Sequence, residues 1–268
     1  MAQTFINLVL ASKGGVGKTK IATYLTEYLQ IMLEKKMIII DTDASNIKLK
    51  SIKALEIDKF NLIGNDGLVS SEKMSTIARE YGKRDIVIDT GANSYQAWIS
   101  YFTKSYGADE LTAFGSKLLI HCIVANGMYD ECIKCLEELC SLQEYLSAQI
   151  VVWLNNGYAT NSQSQHLKTS EFYNTDVYKK NRNFIAGVVE MPFCITNNRQ
   201  FVNELENCNY TLSQIAEYPL NDISKLKMFG RECSILEKKR AINYRKEIFT
   251  AISVLDPIYA DKKSKKEE

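Results

Sequence analysis

Apolar residues along the chain fall into short continuous runs separated by stretches with helical spacing. Phe5 to Ala11 is such a run. It is followed by the glycine-rich Ser12 to Thr19, and then by Ile21, Tyr24, Leu25, Tyr28 and Leu29 at intervals that put them on one helix face. The pattern predicts strand, loop, helix. Met37 to Ile40 and Asp85 to Ile88 predict a second and a third strand, ending at Asp41 and Asp89. Leu118 to Val124 and Ile150 to Leu154 predict two more, with a helical stretch from Tyr129 to Leu146 between them, and Phe184 to Val189 predicts a sixth. Strands alternating with helices require crossover connections. The predicted fold class is therefore α/β: a single doubly wound, mainly parallel sheet with helices on both faces. Ligands of such sheets bind at the carboxyl ends of the strands. Residues 12–19, 41–46 and 89–94 all follow strands, so they are expected to meet in one site.

Two regions depart from this rhythm. Residues 156–183 are polar and aperiodic, and read as an insertion. From Asn221 to about Leu255, the residues Leu226, Phe229, Cys233, Leu236, Ala241, Tyr244, Ile248 and Ile252 approximate one long helix with an apolar stripe, interrupted at most by Gly230. The expected organisation is one domain over 1–258, with the insertion at 156–183 and a C-terminal helical region at 221–255, and then a charged flexible tail at 259–268.

Composition narrows the function classes. The chain is 46% hydrophobic and 24% charged, an ordinary globular balance, and its net charge of +1 gives no global field for nucleic acid or anionic membrane. Any such contact must be local. Lys238, Lys239, Arg240, Arg245 and Lys246 offer DNA one basic helix. Glu237 and Glu247 interrupt it, so a solvated face fits better. No apolar run approaches the roughly 18 residues of a membrane span, so integral membrane insertion is not expected. The basic tail Lys262 to Lys266 lacks the large apolar residues of a membrane-surface helix.

The cysteine count of 7 is odd, and Met1 to Gln3 leads directly into the first strand, which points to a cytoplasmic setting. Cys132 and Cys135 form a C-x-x-C near Cys140. No second such pair stands at zinc spacing, so buried free thiols are the expectation. His121 and His166 are far apart and receive no role.

The glycine-rich loop carries the chemistry. Gly14, Gly15 and Gly17, with Val16 between them, let backbone N–H groups converge on phosphate oxygens, and the helix that follows adds its positive end. Lys18 supplies a point charge, Thr19 a hydroxyl suited to Mg²⁺, and Lys20 completes the stretch. The pattern G-x-x-x-x-G-K-[ST] is not met at its first position, Ser12. A turn that merely joins strand to helix is the plain alternative.

Lys13 adds a second lysine early in this loop. KGGVGKT thereby resembles the deviant Walker A ATPases, the superfamily of ParA, MinD, the nitrogenase iron protein and the arsenite-pump ATPases. The resemblance implies ATP and Mg²⁺ as ligands, an ATP-dependent homodimer, and Lys13 reaching across it to the partner's phosphates. It also implies that Asp41 helps hold the Mg²⁺ shell, that Asp43 positions or deprotonates the attacking water, and that Asp89 is the Walker B aspartate. Each aspartate taken singly could equally cap a helix or a turn. Asn155 resembles the asparagine that reads adenine, and Pro192 falls where a proline flanks the base; Asn155 and Asn156 are alternatively turn residues. The sequence Gly91, Ala92, Asn93 after the Walker B strand resembles the conjugation-associated TraL and StbB branch. The implied function is a hydrolysing, partner-stimulated dimerising switch in plasmid or DNA segregation, maintenance or conjugative transfer. The alternatives are metal-cluster or metabolic chemistry in the same superfamily, or a non-hydrolysing nucleotide-dependent scaffold.

Overall fold

The computed structural model describes residues 3–43, 49, 52, 54–62, 64, 70–158, 166–192, 210–228 and 231–260. Residues 44–46 of the second acidic stretch, Cys194, Cys208, Phe229, Gly230 and the 261–268 tail lie outside them.

Seven parallel strands form the central sheet: β1 (Phe5–Leu10), β2 (Met37–Asp41), β3 (Ile57–Lys59), β4 (Asp85–Asp89), β5 (Lys117–Ala125), β6 (Gln149–Asn155) and β7 (Ile185–Glu190). Their order is β3-β2-β4-β1-β5-β6-β7. All six residues of β1 and all five of β2 are buried, as expected for strands covered on both faces. Six of the seven strands are the predicted ones. The addition, β3, is a half-exposed three-residue edge strand that pairs Ile39 with Ile57 and Asp41 with Lys59. It has no apolar run to betray it.

The helices are α1 (Lys18–Met32), α2 (Ser71–Tyr81), α3 (Tyr95–Ser105), α4 (Gly107–Thr112), α5 (Tyr129–Ser141), α6 (Gln143–Leu146), α7 (Thr169–Phe172), α8 (Asp176–Asn181), α9 (Leu212–Glu217), α10 (Ile235–Ile252) and α11 (Asp256–Tyr259). The stretch expected as one helix to Leu146 is two, because Leu142 leaves helical geometry at φ −95°, ψ 12°. The described part of the polar insertion holds a 3-10 turn, Asn156–Tyr158, and the short helices α7 and α8, too brief to show a period.

The C-terminal region departs further from the single helix expected from Asn221. A 3-10 turn spans Leu220–Lys225, Lys227–Met228 pairs antiparallel with Arg231–Glu232, and the helix starts only at Ile235. A capping box fixes that start: Glu237 N–H donates to Ser234 Oγ (3.2 Å), and Ser234 N–H donates to Glu237 Oε2 (2.7 Å). Leu226 and Cys233 are both buried, but they meet across the hairpin, where Cys233 N–H donates to Leu226 C=O (2.9 Å).

α10 lays Ala241, Tyr244, Ile248 and Ile252 on the core and meets α1 edge to face, Phe249 on Tyr28 with ring centres 5.4 Å apart. α11 then inserts Tyr259, whose hydroxyl donates to Asn7 Oδ1 (2.5 Å) on the central strand. No helix among the described residues is long and apolar enough to cross a membrane.

Candidate functional site

β1 delivers the glycine loop to the sheet's carboxyl edge, and α1 begins at Lys18 directly behind it. Gly15 and Gly17 adopt φ +75° and +101°, left-handed values that a side chain would strain. A Cβ on Gly15 would meet nothing within 4 Å, so the outer face of the loop is open to a ligand. Gly17 caps α1 with no side-chain hydrogen bond, leaving the first helical N–H groups for an anion.

The strand register assembles the acidic half. Asp41 and Asp89 are direct partners across β2 and β4. Thr19 Oγ1 donates to Asp89 Oδ2 (2.7 Å), which joins the start of α1 to the end of β4. Thr42 crosses to the same strand end, donating from its N–H (3.0 Å) and its hydroxyl (2.8 Å) to Asp89 C=O. Asp43 N–H then donates to Asp41 Oδ1 (3.1 Å). The three aspartates and Thr19 therefore face one another, as the sequence led one to expect.

Burial raises the Asp89 carboxyl to about 7, with Asp41 and Asp43 adding to the rise against the Thr19 hydrogen bond and Lys18. Asp41 is raised as well, again chiefly by burial. Its Oδ2 is buried without a hydrogen bond among the described residues, and its ion pair with Lys59 is long, 4.0 Å. Lys18 is nearly buried, which lowers its pKa against the pull of Asp89 and Asp43, and its ammonium donates to Lys13 C=O (2.8 Å).

A hydroxyl beside two buried carboxylates is an oxygen donor set that fits Mg²⁺. No three His, Cys, Asp or Glu groups among the described residues are gathered to hold a metal alone. Mg²⁺ here would therefore complete its shell with water and phosphate oxygens, as it commonly does.

Lys13 is exposed. Lys20 lies over the Tyr24 ring (5.9 Å to its centre) near the end of β6. Asn155, at that strand end, donates from Nδ2 to Val16 C=O (2.8 Å) and accepts from Gly157 N–H at Oδ1 (3.1 Å). These two bonds leave its second N–H and a second lone pair on Oδ1 as the positions with which the amide could meet a base. Pro192 follows β7 at the same edge and is half-buried.

Asn156 is a fastener: fully buried, it donates to Leu167 C=O (3.1 Å) and Met191 C=O (3.0 Å) and accepts from Leu167 N–H (2.8 Å). Lys59 and the seat of Asp43 against Gly91 carry no motif and were not legible beforehand. Cys122, Cys132, Cys135 and Cys140 are buried free thiols, and Cys233 is buried as well. Cys135 lies beside Ser12: hydrogen bonds from Cys122, then Tyr95 and Ser12, pull its thiol below the ordinary range against burial.

A seven-stranded parallel sheet with a glycine loop between β1 and α1, and with aspartates ending β2 and β4, defines the class: a doubly wound α/β fold whose candidate site lies at the carboxyl edge of the sheet. The chain is 28% identical over 190 residues to Protein TraL of Escherichia coli, covering 70% of this chain and 76% of that one. Among solved structures it resembles a ParA family ATPase from Chlorobium tepidum TLS, with TM-score 0.48, 12% identity, and 91% and 98% of the two chains covered. It also resembles the MinD cell division protein of Aquifex aeolicus, with TM-score 0.44, 15% identity, and 92% and 98% covered. No family model matches the chain.

Proposed function

We propose that the protein binds and hydrolyses ATP with Mg²⁺ and acts as a nucleotide-dependent dimerising switch in plasmid segregation, maintenance or conjugative transfer. The observation that carries this reading is the convergence of Lys18, Thr19, Asp41, Asp43 and Asp89 at the mouth of an open glycine loop.

In this reading the N–H groups of residues 14–18 cradle the phosphates, and Lys18 leaves the Lys13 carbonyl for a phosphate oxygen. Thr19, Asp41 and Asp89 would hold Mg²⁺, which when bound offsets phosphate charge. The burial of Asp41 and Asp89, which raises both carboxyls, supports the assignment, since a bound cation would favour their charged forms. Asp43, half-exposed beside them, orients the attacking water and accepts its proton. Lys13, exposed at the loop, reaches the phosphates of a second copy and stabilises the charge of phosphoryl transfer. Closing and reopening of the dimer changes affinity for a stimulating protein partner. The similarity to TraL supports the plasmid-transfer setting, and the buried free thiols suit a cytoplasmic one.

Phosphate release and ATP calorimetry on wild type, Lys18→Ala and Asp43→Ala test the assignment. Lys18→Ala is expected to lose ATP binding, and Asp43→Ala to bind ATP while turning over at least a hundredfold more slowly. Equal, negligible turnover in wild type and Asp43→Ala would leave a nucleotide-dependent scaffold in place of a hydrolase.

A further inference from the structure

The turn after β4 is built around the Asp43 carboxylate. A Cβ placed on Gly91 would lie 3.1 Å from Asp43 Cγ and 3.2 and 3.4 Å from its two oxygens. Contacts that short are tighter than real side chains ordinarily show, so an added methyl group would have to push the carboxylate aside by a few tenths of an ångström. The backbone does not demand glycine here, because Gly91 has φ −71° and ψ 148°, values open to any residue. What a side chain would press against is Asp43.

Nor can the turn retreat. Thr90 Oγ1 donates to Val9 C=O (2.7 Å), and Gly91 C=O accepts from both Ser94 N–H (3.1 Å) and Ser94 Oγ (2.8 Å). On the other side, Ala92 Cβ stands 4.0 Å from where a Cβ on Gly14 would be, so the turn is backed by the phosphate loop. The Asp43 backbone is tied in turn to Asp41. With both backbones held, the carboxylate alone can yield to an added methyl group.

We propose that Gly91 is a positioning residue for hydrolysis: its missing side chain sets where the Asp43 carboxylate lies relative to the phosphate loop. This rests on the role given to Asp43 above. It also supplies a physical reason for the small Gly91-Ala92 pair, since a bulkier turn could not support Asp43 and the loop together. Displacing a catalytic carboxylate by a few tenths of an ångström leaves the loop N–H groups and Lys18 in place, so turnover suffers and binding does not.

The test compares Gly91→Ala, Asp43→Ala and the double variant for kcat by phosphate release, ATP Kd by calorimetry, and melting temperature. Gly91→Ala is expected to lower kcat about tenfold with ATP Kd changed less than about twofold, and to change nothing further in the Asp43→Ala background. Wild-type kcat in Gly91→Ala, with Asp43→Ala inactive, overturns the positioning role and leaves the role of Asp43 standing. Wild-type turnover in Asp43→Ala overturns both. An equal loss of ATP binding from Gly91→Ala with and without Asp43 shows a structural role and overturns the inference. If Gly91→Ala does not fold, the double variant decides: rescue by removing Asp43 supports the clash, and failure of both overturns it.

Discussion

Asn155 has one amide and two claims on it. In the structure its Nδ2 holds Val16 C=O and its Oδ1 holds Gly157 N–H, so the side chain ties the phosphate loop to the end of β6. Resemblance to adenine-reading asparagines assigns it a base contact instead, and the two roles differ in what they predict. A brace serves every nucleotide that needs the loop, whereas a base reader serves adenine alone. Asn155→Ala is expected to weaken ATP and GTP binding together, by about fivefold for a lost hydrogen bond worth about 1 kcal/mol. Calorimetry with both nucleotides decides the matter. A fall confined to ATP would return Asn155 to the base. The sequence placed this residue at the right edge because it ends an apolar run. It could not say which carbonyl the amide would find, since Val16 lies on another strand's loop.

Elements differed in legibility according to how each is stabilised. Six strands were readable because a strand buried on both faces must be a continuous apolar run, as β1 and β2 are. The ends of those runs at Asp41 and Asp89 place both aspartates at the carboxyl edge of the sheet, where the candidate site lies. The edge strand β3 is short and half-exposed, and Lys227, Arg231 and Glu232 of the antiparallel pair are exposed, so burial leaves no pattern in them. At the C terminus an apolar stripe at helical spacing masked a stronger local signal, Ser234-x-x-Glu237, that begins α10 at Ile235. Glu237 also pairs with Arg231 (2.5 Å), which locks the hairpin to the helix it precedes. Ser234→Ala is expected to cost about 1 kcal/mol of stability and to leave ATP affinity unchanged, as read by urea unfolding and calorimetry. An unaltered unfolding midpoint would mean that packing of α10, with no help from its cap, fixes where the helix begins.

Across the whole molecule, two buried ionisable groups join the C-terminal region to the sheet and α1, and they respond to pH with opposite sign. Trp153 Nε1–H donates to His121 Nδ1 (2.9 Å), so Nε2 carries the imidazole proton and donates to Asn7 Oδ1 (3.1 Å), which Tyr259 of α11 also reaches. Complete burial holds His121 down to about 3, far below its ordinary 6.5. The unfolded chain therefore takes up a proton below pH 6.5 that the folded chain refuses, so the stability held above 6.5 drains as the pH falls towards 3. Glu27 of α1 behaves in reverse. Its Oε1 accepts from Ser213 N–H (3.0 Å) at the start of α9, and burial raises its pKa above 4.5. Its contribution is full below 4.5 and is lost as the pH rises through the raised value. The two slopes oppose each other in the mildly acidic range, where Asp89 and Asp41, also raised by burial, act with Glu27. Removing one group exposes the other. Glutamine at either site can keep a hydrogen bond: Glu27→Gln still accepts from Ser213, and His121→Gln can accept from Trp153 and donate to Asn7. Urea unfolding between pH 4 and 8 should show Glu27→Gln gaining on wild type as the pH rises. His121→Gln should gain on wild type as the pH falls below 6.5, by up to about 1.4 kcal/mol per pH unit. Curves parallel to wild type in both variants would mean that neither group is held neutral by the fold.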